Sequence, residues 1–159
     1  MKLRIGHSKD VHRLAAGETL FLGGIELEHE LGLVGHSDAD VLLHAITEAI
    51  IGAMAMGDIG HFFPDNDPKY KGVDSKLLLA EVIEVMEDNG YQIANIDSTI
   101  FAERPKIGPH VLKMRTVVAD ICKIALEDIN IKATRGEKIG SIGREEGMGA
   151  EAVVLLIKE

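Results

Sequence analysis

Alternation of hydrophobic and polar residues predicts five strands along this chain. The strands are predicted at residues 2–12, 18–27, 92–102, 128–134 and 150–157. The second of them contains Gly23-Gly24, so a bent strand or a hairpin is expected there. A glycine-rich stretch, residues 136–149, separates the last two strands.

Apolar residues that recur with a period of 3.6 residues predict three helices. The helices are predicted over residues 38–56, from Asp74 or Ser75 to Asn89-Gly90, and from Gly108-Pro109 to about Leu126. Ser37 is a natural N-cap for the first helix, and Gly57 fits its C-terminal stop. A loop rich in Asp, Pro and Gly, residues 58–73, connects the first two helices.

The order of these elements, ββ-α-α-β-α-ββ, predicts a single α/β domain over residues 1–159. If the helices cover one face of the sheet, its other face stays apolar and uncovered. Such a face usually meets a partner subunit, so an oligomer is expected.

The amino-acid composition indicates an aliphatic core. Hydrophobic residues form 46% of the chain, whereas aromatic residues form 4% and Trp is missing. No run approaches the roughly 18 apolar residues of a membrane span, and the N-terminus lacks the long apolar stretch of a secretion signal. The one cysteine, Cys122, lies in an apolar helical run and is expected to be a buried, inert thiol. We therefore expect a soluble, cytoplasmic protein without a membrane partner.

The net charge of −9 restricts the possible partners. Affinity for nucleic-acid phosphates comes from many Lys and Arg contacts, so no nucleic-acid partner is expected. Binding of a phosphorylated small molecule would need local positive charge against this net negative charge, from metal ions, helix N-termini or a few well-placed Lys and Arg side chains.

Two short segments predict a metal site. Asp10 and His12 lie at positions i and i+2 of a strand, so their side chains point the same way. His44 lies in the first helix and leans back toward its N-terminus, and Asp40, on the same helix face, is a rival ligand or an outer partner. Two imidazoles, one carboxylate and a free coordination position are typical of a catalytic divalent metal. The alternative is that these residues cap turns and solvate a helix end.

Three other segments offer polar groups. In the loop after the first helix, Asp58 and either Asp65 or Asp67 could bind hydroxyls, or they could simply make Asx turns. The turn 102–108 joins a strand to a helix N-terminus and could take a phosphate or a planar base, or be a plain turn with a solvated Lys106.

The third segment is the turn that begins at Thr134. Thr134 could donate to a phosphate oxygen, and Glu137 could hold a hard cation such as Mg²⁺. The alternative is a turn with surface charges.

Six motifs follow one another along the chain. They are Gly6-His-Ser-Lys-Asp10-Val-His12, His36-Ser-Asp-Ala-Asp-Val-Leu-Leu-His44-Ala, Gly57-Asp-Ile-Gly60, Phe63-Pro-Asp-Asn-Asp67-Pro, Pro105-Lys106 and Gly143-Arg144-Glu-Glu-Gly147. This succession resembles the 2-C-methyl-D-erythritol 2,4-cyclodiphosphate synthases of the non-mevalonate isoprenoid pathway. The resemblance runs from about residue 3 to the C-terminus, and its most specific parts are the His-Ser-Asp-x-Asp helix start and the Phe-Pro-Asp loop.

The resemblance implies a homotrimer of α/β (α+β) subunits. Each would have a mixed sheet with helices on one face, the sheets would face a central axis, and active sites would lie between subunits. One Zn²⁺ per subunit, or another divalent metal, would bind Asp10, His12 and His44, with substrate phosphate in the fourth position. Mg²⁺ or Mn²⁺ would accompany the substrate diphosphate. An isoprenoid diphosphate could occupy the axial cavity near Arg144.

The resemblance also implies residue roles. His36 and Ser37 match residues that contact the phosphate region, and Asp58, Gly60 and Asp65 match residues that hold the erythritol hydroxyls. Ala102, Pro105 and Lys106 match a cytidine pocket, which comes from the adjacent subunit. Thr134 and Glu137 match residues that contact phosphate and Mg²⁺. The residues expected to be catalytic are His36, Thr134 and Glu137. The residues expected to bind substrate are Asp10, His12, His36, Ser37, Asp58, Ile59, Gly60, Phe63, Pro64, Asp65, Asn66, Asp67, Ala102, Glu103, Arg104, Pro105, Lys106, Ile107, Gly108, Thr134, Arg135, Gly136, Glu137, Ser141 and Arg144.

One position departs from the family pattern. A second hydroxyl residue usually follows the first Thr of the Thr-Thr-x-Glu motif, whereas this chain has Arg135 followed by Gly136. Arg135 could bind phosphate in place of the hydroxyl. The interpretation that we favour from sequence is that Arg135 points to solvent or pairs with Glu137.

The reaction implied is intramolecular phosphoryl transfer on 4-diphosphocytidyl-2-C-methyl-D-erythritol 2-phosphate, with release of CMP and no protein nucleophile. Two other functions use the same residues. A metal-dependent phosphohydrolase would activate a water at the same three ligands and release free phosphate. A non-catalytic, isoprenoid-binding trimer would need a closed four-ligand zinc site, for which no cysteine lies near Asp10 or His44.

Overall fold

A mixed five-stranded sheet forms the centre of the computed structural model, which describes residues 1–159. The strands are β1 (Lys2–Ala16), β2 (Leu20–Leu22), β3 (Ile25–Leu27), β4 (Leu31–Val34), β5 (Gln92–Phe101), β6 (Ile129–Thr134) and β7 (Gly147–Lys158). The helices are α1 (Val41–Met54), α2 (Ile59–Phe62), α3 (Ser75–Asp88), α4 (Val111–Cys122) and α5 (Gly140–Gly143), with 3₁₀ turns at Pro68–Tyr70, Gly108–His110 and Leu126–Asp128.

The strand order in the sheet is β4-β1-β7-β5-β6. Only β5 and β6 run parallel, and the other neighbours are antiparallel, so the predicted mixed sheet is confirmed. The hairpin predicted at residues 18–27 is also confirmed, as the separate pair β2–β3. Strand β4 was not predicted, because four residues at a sheet edge are too few for a clear alternation.

Helix α1 lies at the centre of the core. It packs on β1 and β7 with one side and on α3 with the other, which explains why most of its residues are buried. A Cβ atom at Gly6 of β1 would lie 1.7 Å from the carbonyl oxygen of Ala49, so the helix backbone rests directly on the strand. This close contact fixes α1 against β1 and thereby the position of His44 relative to Asp10.

The predicted ends of the first helix were wrong. Helix α1 begins at Val41, and its N-cap is Asp40, not Ser37. Ala39 has φ of 59°, which excludes it from a right-handed helix. At the other end the helix stops at Met54 before Gly57, because Ala55 takes the left-handed conformation.

The other two helices agree more closely with expectation. Asp74 caps α3 through the backbone N–H of Lys76, as predicted. The segment at Gly108 opens as a 3₁₀ turn and continues as α4, which ends at Cys122. The predicted end near Leu126 was too late, since Lys123 adopts φ of 55° and terminates the helix.

The face of the sheet away from the helices is exposed and carries several apolar side chains beside the ion pairs Lys9–Glu151 and Lys132–Asp97. On β1, Leu3 is 58% exposed and Ile5 73% exposed, whereas Gly6 and Ser8, which point the other way, are buried. Val11 and Val153 continue this exposed face. No helix of the chain combines the length and the apolar character needed to cross a bilayer.

Candidate metal centre and nucleotide cavity

The three predicted metal ligands converge. Oδ2 of Asp10 lies 3.0 Å from Nε2 of His12 and 3.1 Å from Nδ1 of His44, and the two ring nitrogens are 3.2 Å apart. Strand β1 supplies the first two side chains, and the first turns of α1 supply the third. Three donor atoms this close together could hold one divalent ion, as predicted.

The outer ring nitrogens of both histidines are also engaged. Nδ1 of His12 lies 2.9 Å from the carbonyl oxygen of Val34 on β4, so it donates there and leaves Nε2 free to bind a metal. Nε2 of His44 lies 2.9 Å from the hydroxyls of both Ser37 and Ser75. Because these bonds hold both rings, the ligand atoms are oriented before any ion binds.

Electrostatics keep the carboxylate of this centre ionised. Burial alone would raise the pKa of Asp10, but the neighbouring imidazoles of His12 and His44 outweigh it and hold that pKa well below its usual range. Burial acts to lower the pKa of His12, and the bond and charge of Asp10 raise it above its ordinary value. Asp10 thus supplies a negative charge for a cation.

Asp40 is not a metal ligand, and the hypothesis that it is a rival ligand or an outer partner was wrong. Its carboxylate is fully buried and accepts from the backbone N–H groups of Gly23, Gly24 and Leu43 at 3.0, 2.7 and 3.0 Å. Burial raises its pKa, against the effect of these bonds. Asp40 therefore joins the β2–β3 hairpin to the start of α1.

A cavity of about 340 Å³ opens beside the metal centre. Its lining includes six residues predicted from sequence for substrate or phosphate, together with others that were not predicted. The predicted ones, besides the metal ligands, are His36, Ser37, Ile59, Gly60, Phe63 and Asp65.

Glu48 lines this cavity, and the sequence interpretation missed it. It lies one helical turn after His44, accepts from the hydroxyl of Ser8, and accepts from the N–H of Ile59 at 3.4 Å. The spacing i, i+4 from a predicted ligand was a usable signal. Ser75, which contacts His44 from another helix, gave no such signal.

The loop after α1 is held by its own carboxylates. Asp58 caps α2 through the N–H of His61 at 2.9 Å, and Asp67 caps the following 3₁₀ turn through the N–H of Lys69 at 2.9 Å. These two side chains therefore make the turns that the alternative interpretation expected. Pro64, Asn66 and Asp67 belong to the same loop but do not line the metal cavity.

A second cavity, of about 410 Å³, lies at the turn 102–108. Predicted substrate residues form most of its lining, which consists of Ala102, Pro105, Lys106, Ile107, Gly108, Val111, Ala133, Thr134 and Arg135. Glu103 and Arg104 face an adjoining polar depression that Arg135 also borders.

The remaining predicted residues lie outside both cavities. Glu137 is exposed on the turn after β6, and Ser141 lies in α5. Arg144 pairs with Glu146 at 3.1 Å. Arg135 is exposed and does not pair with Glu137, so of the two arrangements that we favoured, only the solvent-facing one is present.

Within one chain the two cavities stay apart. None of the residues that line the metal cavity lines the second cavity. The predicted catalytic residues are divided in the same way, because His36 borders the first cavity and Thr134 the second.

Comparison with known proteins gives a consistent picture. The sequence model of the YgbB family matches residues 3–157. The chain is 54% identical over 158 residues to 2-C-methyl-D-erythritol 2,4-cyclodiphosphate synthase from Nostoc punctiforme, covering 99% of both chains.

Solved structures agree with the fold. The bifunctional IspDF from Campylobacter jejuni superposes with a TM-score of 0.93 at 37% identity, over 98% of this chain and 42% of that one. The CDP complex of IspF from Plasmodium falciparum superposes with a TM-score of 0.87 at 29% identity, over 99% of this chain and 97% of that one.

Proposed function

The chain belongs to the YgbB family, and we propose that it is a phosphorus-oxygen lyase of isoprenoid precursor biosynthesis. It converts 4-diphosphocytidyl-2-C-methyl-D-erythritol 2-phosphate to 2-C-methyl-D-erythritol 2,4-cyclodiphosphate and releases CMP. The observation that carries this proposal is the convergence of Asp10, His12 and His44 beside a cavity that His36 and Ser37 also line.

Zinc is the ion that suits the metal centre best. Nitrogen and oxygen ligands of a tetrahedral zinc ion are about 3.4 Å apart, given bond lengths of about 2.0–2.2 Å. The donor atoms of Asp10, His12 and His44 are 3.0 to 3.2 Å apart, so a small movement of the side chains accommodates the ion. When bound, zinc polarises phosphate oxygens and neutralises part of their charge.

The reaction needs positioning more than it needs a protein nucleophile. An oxygen of the 2-phosphate attacks the β-phosphorus and forms the new P–O–P bond. The bond from that phosphorus to the oxygen bridging to the α-phosphorus breaks, and CMP leaves with this oxygen and its electron pair. His36 and Ser37 bind the phosphates on the metal side, which holds attacking and leaving groups in line.

The erythritol and cytidine portions bind on either side of this centre. Gly60 and Asp65, which line the metal cavity, and Asp58, which caps α2 beside it, hold the hydroxyls. The turn 102–108 takes the cytosine, largely through backbone groups, and Thr134 and Glu137 hold the phosphate and a Mg²⁺ or Mn²⁺ ion. Support for the nucleotide comes from the relative from Plasmodium falciparum, which is a CDP complex.

The active protein is a homotrimer. The separation of the two cavities within one chain supports this, because a neighbouring subunit can bring its nucleotide cavity to the metal cavity. The exposed apolar side chains of Leu3, Ile5 and Val11 on the outer face of the sheet support it as well, since the sheets can meet there around the axis. An isoprenoid diphosphate in the axial cavity would lie near Arg144.

Product analysis tests the proposal directly. We expect phosphorus NMR of the zinc-loaded protein with Mg²⁺ and the cytidyl substrate to show CMP and a cyclic diphosphate in equal amounts. Release of inorganic phosphate would instead identify a phosphohydrolase. The absence of any product would leave only a binding function and would refute the proposal.

A further inference from the structure

The turn at residues 102–108 and the turn that follows β6 are joined by one carboxylate. Oε2 of Glu103 accepts from the backbone N–H of Gly136 at 3.0 Å and from that of Lys138 at 3.5 Å. The backbone adds a further bond, because the N–H of Ala102 donates to the carbonyl oxygen of Thr134 at 3.1 Å. The two turns therefore form a single hydrogen-bonded unit.

The second of these turns needs such support. Glu137 and Lys138 have φ of 52° and 60°, a left-handed conformation that residues with side chains adopt only where their surroundings enforce it. The two amides that Glu103 binds lie directly on either side of Glu137. The carboxylate of Glu103 thus holds the backbone from which the Glu137 side chain projects.

Packing from the opposite side completes the support. A Cβ atom at Gly136 would lie 2.3 Å from the backbone nitrogen of Gly143, so this turn rests directly on α5. Gly136, which follows Arg135 in the sequence, is therefore required by this close contact. The turn is confined between Glu103 and α5 and has little freedom to move if both contacts are intact.

The next side chain, Arg104, is also occupied within the protein. Its Nε lies 2.8 Å from Oε1 of Glu145, and its guanidinium pairs with Glu30 as well. Neither Glu103 nor Arg104 is thus free to face a nucleotide in the cavity beside it. The polar side chains of this turn hold the turn itself and leave ligand binding to its backbone and to Lys106.

We propose that Glu103 is a positioning residue that couples nucleotide binding to divalent-cation binding. By fixing the backbone on both sides of Glu137, it sets where the Glu137 carboxylate meets a Mg²⁺ ion carried by a nucleoside diphosphate. Glu103 acts through Gly136 and Lys138 and does not contact the ligand. This inference rests on the proposed function for the identity of the nucleotide and the cation.

The test uses the zinc-loaded full-length protein and three variants. CDP binding is measured by calorimetry over a range of Mg²⁺ concentrations for the parent, Glu103→Ala, Glu103→Gln and Glu84→Ala. The last is a control for loss of a carboxylate, because Glu84 is exposed on α3 and distant in sequence from both turns. Zinc content and Tm are recorded for each.

We expect Mg²⁺ to tighten CDP binding to the parent and to Glu84→Ala equally. Glu103→Ala should need about tenfold more Mg²⁺ for the same increase in CDP affinity, since a hydrogen bond to a charged group is worth about 1.5 kcal/mol, or about tenfold in an equilibrium constant. Glu103→Gln should stay within about threefold of the parent, because its amide oxygen can still accept from Gly136. Unchanged zinc content would separate this effect from damage to the metal centre.

Two results would overturn the inference. One is an unchanged Mg²⁺ dependence in Glu103→Ala, and the other is a Glu103→Gln variant that folds but is as impaired as Glu103→Ala. If the parent forms no cyclic product yet shows the Mg²⁺-dependent CDP binding, the proposed reaction fails while the role of Glu103 is still tested by the variants.

Discussion

Nδ1 of His44 lies 3.1 Å from Oδ2 of Asp10, although the two residues are 34 positions apart in the chain. The contact exists because α1 rests on β1 where Gly6 leaves room for the helix backbone. The His44 ring is also held on its other side, because Nε2 lies 2.9 Å from the hydroxyls of Ser37 and Ser75. The metal centre therefore depends on the packing of one helix on one strand.

Replacement of His44 by alanine should remove the metal. Two ligands hold a zinc ion much less tightly than three, and we expect one ion per chain in the parent and less than about a tenth of that in His44→Ala. Elemental analysis after dialysis measures this. His61→Ala is the matched control, because His61 is exposed and outside the cluster. Full zinc in His44→Ala would refute the ligand assignment.

Loss of the Asp40 carboxylate should destabilise the fold without removing a metal ligand. Asp40→Ala leaves three backbone N–H groups without their acceptor, which should lower the free energy of unfolding by about 3–5 kcal/mol. Asp40→Asn keeps one acceptor oxygen and should cost less. Denaturant titration measures both values. A cost below about 1 kcal/mol for Asp40→Ala would contradict this account.

The cavity at the turn 102–108 should distinguish nucleobases. Backbone donors and acceptors can match the cytosine edge, so CMP should raise the Tm and AMP should not. Thermal denaturation with each nucleotide at equal concentration provides the comparison. Equal protection by CMP and AMP would count against a cytidine site at this turn.

Arg135 provides a test of the departure from the family pattern. Its side chain is exposed, forms no ion pair and borders the second cavity. The solvent-facing interpretation predicts that Arg135→Thr changes the substrate KM by less than about twofold, because no strong bond to phosphate is lost. A KM raised about tenfold, equivalent to about 1.4 kcal/mol, would instead assign Arg135 to phosphate binding. Steady-state kinetics at fixed Mg²⁺ decide between them.

Cys122 should be inert in the folded protein. Burial raises the pKa of its thiol to about 12, so the reactive thiolate is scarce at any pH well below that value. Labelling with a thiol reagent at pH 8 should be slow in native protein and complete within minutes in denaturant. Rapid labelling of the native state would show that the end of α4 opens.

Much of this protein could be predicted from local pattern alone. Alternation along β1 placed Asp10 and His12 on one side of a strand, and the helical period of α1 placed His44 near its start. The strands other than β4, and the three long helices, followed from the same periodicities, because these depend only on neighbours in the chain. The spaced motifs were sufficient to indicate the family.

The tertiary structure decided which hydrogen-bond partners a side chain finds among residues distant in the chain. Asp40 resembled a metal ligand in sequence, but its carboxylate turns to the amides of the β2–β3 hairpin. Glu103 resembled a substrate residue, but its carboxylate binds Gly136, 33 positions later. A carboxylate accepts hydrogen bonds from whichever donors the fold brings close, and a buried one must find them. Sequence therefore determined which residues could bind, and packing determined what each of them binds.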